Sequence, residues 1–64
     1  MLPKLNPLKL ARLEKGLSQW EVSRETGISQ STISLYEQEY REPKPEHKEM
    51  LAKLYGKQVE ELWG

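Results

Sequence analysis

Ser18-Gln19-Trp20-Glu21-Val22-Ser23-Arg24-Glu25-Thr26-Gly27-Ile28-Ser29-Gln30-Ser31-Thr32-Ile33-Ser34-Leu35-Tyr36-Glu37 carries two helix starts and one stop between them. Ser18 and Glu21 have the form of a capping box. The serine hydroxyl can accept from the backbone N–H of Glu21 while the glutamate reaches back to the serine's own N–H. Gly27 stands where a left-handed backbone costs least, so the first of the two helices should end after about two turns. Ser29 is a second N-cap, opening a helix that should extend through Gln38. Two short capped helices across a tight turn have the spacing of a helix-turn-helix, here over about residues 18–38. Ile33 and Leu35 among serines can also be read as a short strand. The Ser29 cap and the division of the segment into two helical faces favour helix.

On the N-terminal side, Asn6-Pro7 reads as an N-cap followed by proline at the first helical position, where a missing N–H costs nothing. That helix should run to Lys15 and stop at Gly16, with Lys9, Arg12 and Lys15 toward its C-terminal half. On the other side, Pro43 and Pro45 bracket a connector, and Pro45 suits the first turn of a fourth helix ending at Tyr55-Gly56. A last turn or two, Gln58 to Trp63, follows. Apolar residues recur at intervals of three and four (Met50/Leu51, Leu54/Tyr55; Val59, Leu62), and no segment alternates with period two over strand length. The expectation is a single all-α domain over residues 1–64, built of five short helices.

Composition narrows the chemistry. The 64 residues include no Cys, no Asp, no Phe and one His, His47. Disulfides, cysteine zinc sites, Asp-containing triads and two-His metal motifs are excluded. No metal or cofactor site is expected, and no small-molecule ligand is evident. His47 lies in the first turn of the fourth helix among Glu46, Lys48 and Glu49, and is expected to face solvent. Glutamates spread over exposed helices serve as solubilising charge, so the chain does not read as an enzyme. The core must be small, since a chain of this length buries only about 60% of its unfolded surface. Met1-Leu2-Pro3-Lys4 lacks the apolar stretch of a signal peptide, and no run approaches a membrane span. The reading is a small soluble module of the cytoplasm.

Ten Lys and Arg against ten Glu, with a pI near 6.6, argue at first sight against nucleic acid as a partner. The charge is not evenly spread. Residues 1–16 hold Lys4, Lys9, Arg12 and Lys15 against Glu14 alone. Residues 17–42 hold Arg24 and Arg41 against Glu21, Glu25, Glu37, Glu39 and Glu42, a formal charge of −3.

Stepping the third helix at 100° per residue separates two faces. Ile33, Tyr36, Glu37 and marginally Thr32 point one way; Gln30, Ser31, Ser34, Leu35 and Gln38 point the other. Gln30 and Ser31 also suit the first turn of a capped helix, but that does not explain an outward face without charge. The fourth helix, by contrast, carries Glu46, Lys48, Glu49 and Lys53. A face of Gln, Ser and one aliphatic side chain suits the major groove: Gln can pair bidentately with adenine, Ser can serve several base edges, and Leu35 can lie against thymine methyls. The N-terminus of such a helix also points N–H groups at anions.

Arg12, Gly16-Leu17-Ser18-Gln19, Val22-Ser23, Gly27-Ile28-Ser29, Ser31-Thr32-Ile33-Ser34, Glu37, Pro43, Leu51-Ala52, Gly56 and Leu62 occur in an order and spacing that together cover essentially the whole chain. In this the chain resembles the Cro/cI-type (XRE-like) helix-turn-helix domains of phage and bacterial repressors. The resemblance implies a lambda-repressor-like fold that binds double-stranded DNA as a transcriptional regulator, most often a repressor on the nucleoid. It implies a homodimer whose half-sites lie about one helical turn apart. It assigns base reading to Gln30, Ser31, Ser34 and Leu35, and phosphate contact or positioning to Ser18, Gln19, Gln38, Tyr40, Arg41 and Lys44. Gln19 would also brace a base-reading side chain. Arg12 and Glu37 match a structural ion pair between the first and third helices, and Val59, Leu62 and Trp63 on the closing helix are the candidate dimer surface.

Three features depart from the family pattern. Glu39 stands where the family commonly has Gly after the third helix, often in left-handed conformation. Ser23 and Thr26 replace an Ala and an aliphatic residue, which predicts a more polar core. The helix-turn-helix segment is acidic overall. That acidity, together with Trp20 and Trp63 as candidates for a protein contact, keeps a second expectation open: a protein-interaction module on the same scaffold, such as an antirepressor, antitoxin or accessory subunit. The uncharged outward face of the third helix speaks against it.

Overall fold

The structure, a computed structural model, describes residues 6–64; Lys4 and the Met1–Lys4 stretch considered above lie outside the described residues. Five α-helices follow in order: α1 Pro7–Glu14, α2 Gln19–Thr26, α3 Gln30–Glu37, α4 Pro45–Tyr55 and α5 Val59–Trp63. Among the described residues there is no strand, and no helix is long and apolar enough to cross a membrane.

Each start has a local cause. The Asn6 side chain accepts the Leu8 N–H at 2.7 Å ahead of Pro7. Ser18 and Glu21 close their box from both sides, at 3.1 Å and 2.9 Å. The Ser29 hydroxyl accepts from Thr32 N–H at 3.3 Å. Glu21 holds its carboxyl below the usual glutamate range chiefly through the bond from the Ser18 backbone N–H, with the Ser18 side chain adding to it.

The ends are equally explicit. Gly27 closes α2 at φ 80°. Three other helix ends share one motif, in which an N–H reaches back five residues around a left-handed turn. Leu17 N–H bonds to Arg12 O (3.2 Å), Tyr40 N–H to Leu35 O (3.0 Å) and Lys57 N–H to Ala52 O (2.9 Å). The left-handed residues of the three are Gly16 (φ 69°), Glu39 (φ 62°) and Gly56 (φ 66°). The loop after α3 therefore keeps the glycine-type turn although a glutamate occupies it.

Leu8 and Ala11 of α1, Val22 of α2, Ile33 and Tyr36 of α3, Leu51, Ala52 and Tyr55 of α4, Leu62 of α5 and the turn residue Ile28 form one buried cluster. Leu17, Leu54, Val59 and Trp63 pack against its edge. Two expectations change here. Leu62 is buried, because α5 closes the bundle with that side chain inward, so it is core and not part of a dimer surface. His47 does not face solvent: it is half-buried, its Nδ1 lies 2.7 Å from the Tyr36 hydroxyl, and the two rings are tilted with centroids 5.8 Å apart. A buried phenol needs a partner, and His47 is the group that α4 brings within reach of α3. Thr26 is polar but satisfied, its hydroxyl donating to Val22 O at 2.8 Å and accepting from Ile28 N–H at 3.1 Å.

Candidate nucleic-acid interface

The frame beneath the helix-turn-helix is polar. Arg12 Nε donates to Glu37 Oε2 at 2.7 Å and Arg12 Nη2 donates to Glu37 Oε1 at 3.1 Å, a two-point pairing across α1 and α3. Arg12 Nη1 donates to the Leu17 carbonyl at 2.8 Å. Both residues are buried. The bond to Glu37 raises the Arg12 pKa against the opposing effect of burial, so the guanidinium stays charged. The inward side of α3, with Ile33 and Tyr36 buried beside Glu37, is thus held by packing and by an ion pair together.

From Glu37 a directed chain of hydrogen bonds runs outward. Gln19 Nε2, at the first position of α2, donates to Glu37 Oε1 at 3.0 Å. Gln30 Nε2, at the first position of α3, donates to Gln19 Oε1 at 2.6 Å. The polarity follows from the acid at its root. A carboxylate paired with Arg only accepts, so Gln19 turns its NH₂ toward Glu37 and its oxygen toward Gln30. Gln30 must then offer its own NH₂ to Gln19. Its oxygen and its second N–H bond to no other described residue, and they form the acceptor–donor pair that matches adenine N6 and N7.

Of the other outward residues of α3, Ser31 is exposed, and Ser34 and Leu35 are half-buried. The Gln38 side chain folds back onto Ser34, donating to its hydroxyl at 2.8 Å and its carbonyl at 3.2 Å. Ser18, whose hydroxyl is engaged in its cap, is exposed, as are Tyr40, Arg41 and Lys44 of the loop between α3 and α4. Tyr40 is 76% exposed. Neither Arg41 nor Lys44 forms an ion pair with another described residue, whereas Glu42 in the same loop is held by Lys48 at 2.7 Å. The arrangement brings Gln19, Gln30, Ser31, Ser34 and Leu35 to one side of the molecule, with Arg12 and Glu37 beneath them.

Two features were not visible in sequence. The Leu17 carbonyl, which takes the third Arg12 hydrogen bond, lies in the turn after α1, and no side-chain signal marks it. Tyr55 is buried, and its hydroxyl has no hydrogen-bond partner among the described residues; burial pushes its pKa up to about 12, the Glu37 charge adds to this, and the Arg12 charge opposes it. Among the described residues no cluster of His or carboxylate side chains could hold a metal ion.

A family model described as helix-turn-helix matches residues 8–62. The chain is similar to the cryptic phage CTXphi transcriptional repressor RstR of Vibrio cholerae, with 41% identity over 51 residues, 80% of this chain and 46% of the relative. It spans about half the length of that curated relative. No solved structure matches it significantly. The match over most of the chain, with the five-helix fold beneath it, places the protein in the XRE, or Cro/cI-type, helix-turn-helix family of DNA-binding domains.

Proposed function

We propose that this chain is a sequence-specific, double-stranded-DNA-binding domain that acts as a transcriptional repressor, with α3 entering the major groove. The family is one of DNA-binding regulators and not of enzymes. The observation that carries the finer reading is the directed chain Arg12–Glu37–Gln19–Gln30, which orients the free amide edge of Gln30 at the start of α3. Preorganised polar groups of this kind lose little freedom when they meet a base. Ser31, Ser34 and Leu35 continue the reading face; Ser18, Gln38, Tyr40, Arg41 and Lys44 meet phosphates, and Gln19 positions Gln30. The domain acts as a two-fold dimer on the nucleoid, in the cytoplasm, through the accessible parts of Val59 and Trp63 and without Leu62.

Selection of bound sequences from a random duplex pool tests this reading. The expected result is a two-fold symmetric site with half-sites about one helical turn apart. Affinity should fall with salt along a log–log slope of several units. An unenriched pool and no salt-sensitive binding would refute it. The interaction-module reading has one observation in its favour, the 71% exposed Trp20 at the start of α2; it predicts that unenriched result.

A further inference from the structure

The three helix ends that share the five-residue back-bond differ in one respect. At two of them the left-handed residue is glycine, Gly16 and Gly56; at the third it is Glu39. An L-residue with a Cβ is disfavoured there. An acid is disfavoured again, because the last turn of α3 leaves carbonyl dipoles pointing at it. Nothing in the fold offsets either cost. Glu39 is exposed, and its carboxylate forms no hydrogen bond or ion pair with a described residue, while nearby Glu42 is paired with Lys48. Its position in the chain is the informative fact. Glu39 sits between Gln38 and the exposed Tyr40-Arg41, residues assigned above to phosphate contact.

We propose that Glu39 is an affinity-setting residue: a fixed negative charge, placed among the phosphate-contacting residues of the α3–α4 loop, that repels the DNA backbone and keeps binding weak and reversible. The inference rests on the DNA-binding reading. Phosphates carry no sequence information, so the repulsion acts equally on operator and bulk DNA. It weakens binding everywhere without altering discrimination. Charge of this kind at the edge of an interface governs association rate and salt dependence.

Charge and backbone strain separate by substitution. Glu39→Gln removes the charge and keeps the side chain at positive φ. Glu39→Gly removes both. Glu39→Gln should bind the selected operator and a random duplex roughly 3- to 10-fold more tightly at low salt, by the same factor on each, with the gain shrinking as salt rises. Its Tm should rise only slightly, by about 1–4 °C, as the carboxylate leaves the C-terminal dipole of α3. Glu39→Gly should show the same gain in binding and a Tm higher than that of Glu39→Gln by about a further 4–8 °C. Parental affinity of Glu39→Gln at low salt overturns the inference, as does a gain confined to one sequence, which would make residue 39 a base-reading position. If the parent itself binds no duplex at low salt, the DNA-binding reading falls and the role of Glu39 with it.

Discussion

Replacing Arg12 with alanine leaves Glu37 buried without its cation. In the parent, Glu37 Oε2 has one partner, Arg12 Nε at 2.7 Å; Oε1 has two, Arg12 Nη2 at 3.1 Å and Gln19 Nε2 at 3.0 Å. After the substitution only the Gln19 bond remains, and the Leu17 carbonyl also loses its donor. Exposure decides the magnitude. The two side chains are 9% and 2% accessible, so the solvent screening that reduces surface pairs to about 0–1 kcal/mol does not apply. Removing one partner of a buried pair costs about 3–5 kcal/mol. A chain of this size has a total stability of about 3–10 kcal/mol. Arg12→Ala should therefore lose about a third of the parent's stability at the least, and all of it at the low end of that range. Urea denaturation followed by far-UV circular dichroism at neutral pH measures the loss. The control is Arg12→Met combined with Glu37→Met, which replaces both charges by apolar groups; it should recover to within about 1 kcal/mol of the parent or exceed it. An Arg12→Ala variant within about 1 kcal/mol of the parent refutes the reasoning, because the pair would then behave as a surface pair.

Further outcomes follow from the same geometry. Gln30→Ala should cost about 1–3 kcal/mol of binding and relax preference at one base position, and Gln19→Ala should relax that same position by releasing the Gln30 amide; footprinting on a set of single-base variants distinguishes this from uniform weakening, which would make Gln30 a phosphate contact. Tyr55 titrates near 10 when unfolded and at about 12 in the fold, so the folded state holds its proton longer. Its contribution is complete below pH 10 and is lost as pH rises toward 12, by about 2–3 kcal/mol. Tyr55→Phe should remove that alkaline loss, seen as a difference between the two urea curves across pH. At pH 7 it should be as stable as the parent or up to about 1 kcal/mol more so, since the hydroxyl it deletes has no partner among the described residues. A loss above 1 kcal/mol at pH 7 would show that the hydroxyl is satisfied.

The helix-turn-helix is legible in the chain because its signals are local. Asn6-Pro7, Ser18 with Glu21, Gly27 and Ser29 act on groups two to four residues away, and a cap works the same way wherever the helix later packs. The inward set Ile33, Tyr36 and Glu37 was equally readable, since α3 runs two full turns and its period separates two faces. Helix α5 is five residues long. Over so short a span Val59, Leu62 and Trp63 cannot be sorted into inner and outer by period, and the turn at Gly56 aims Leu62 into the core. His47 stands among charged neighbours, and only the approach of α4 to α3 gives it Tyr36.

The candidate site divides along the same line. The residue types on the outer face of α3, their lack of charge and their helical register lie within one segment and follow from the order of residues. The direction in which Gln30 presents its amide does not. It is set by Gln19, 11 residues away, which is oriented by Glu37, 18 residues from Gln19, which is held by Arg12, a further 25 residues off. Hydrogen-bond polarity passes along that chain only when three helices are packed together, because each amide takes its orientation from the neighbour it touches. Local chemistry therefore named the groups that face outward, and packing at a distance in the chain aimed them.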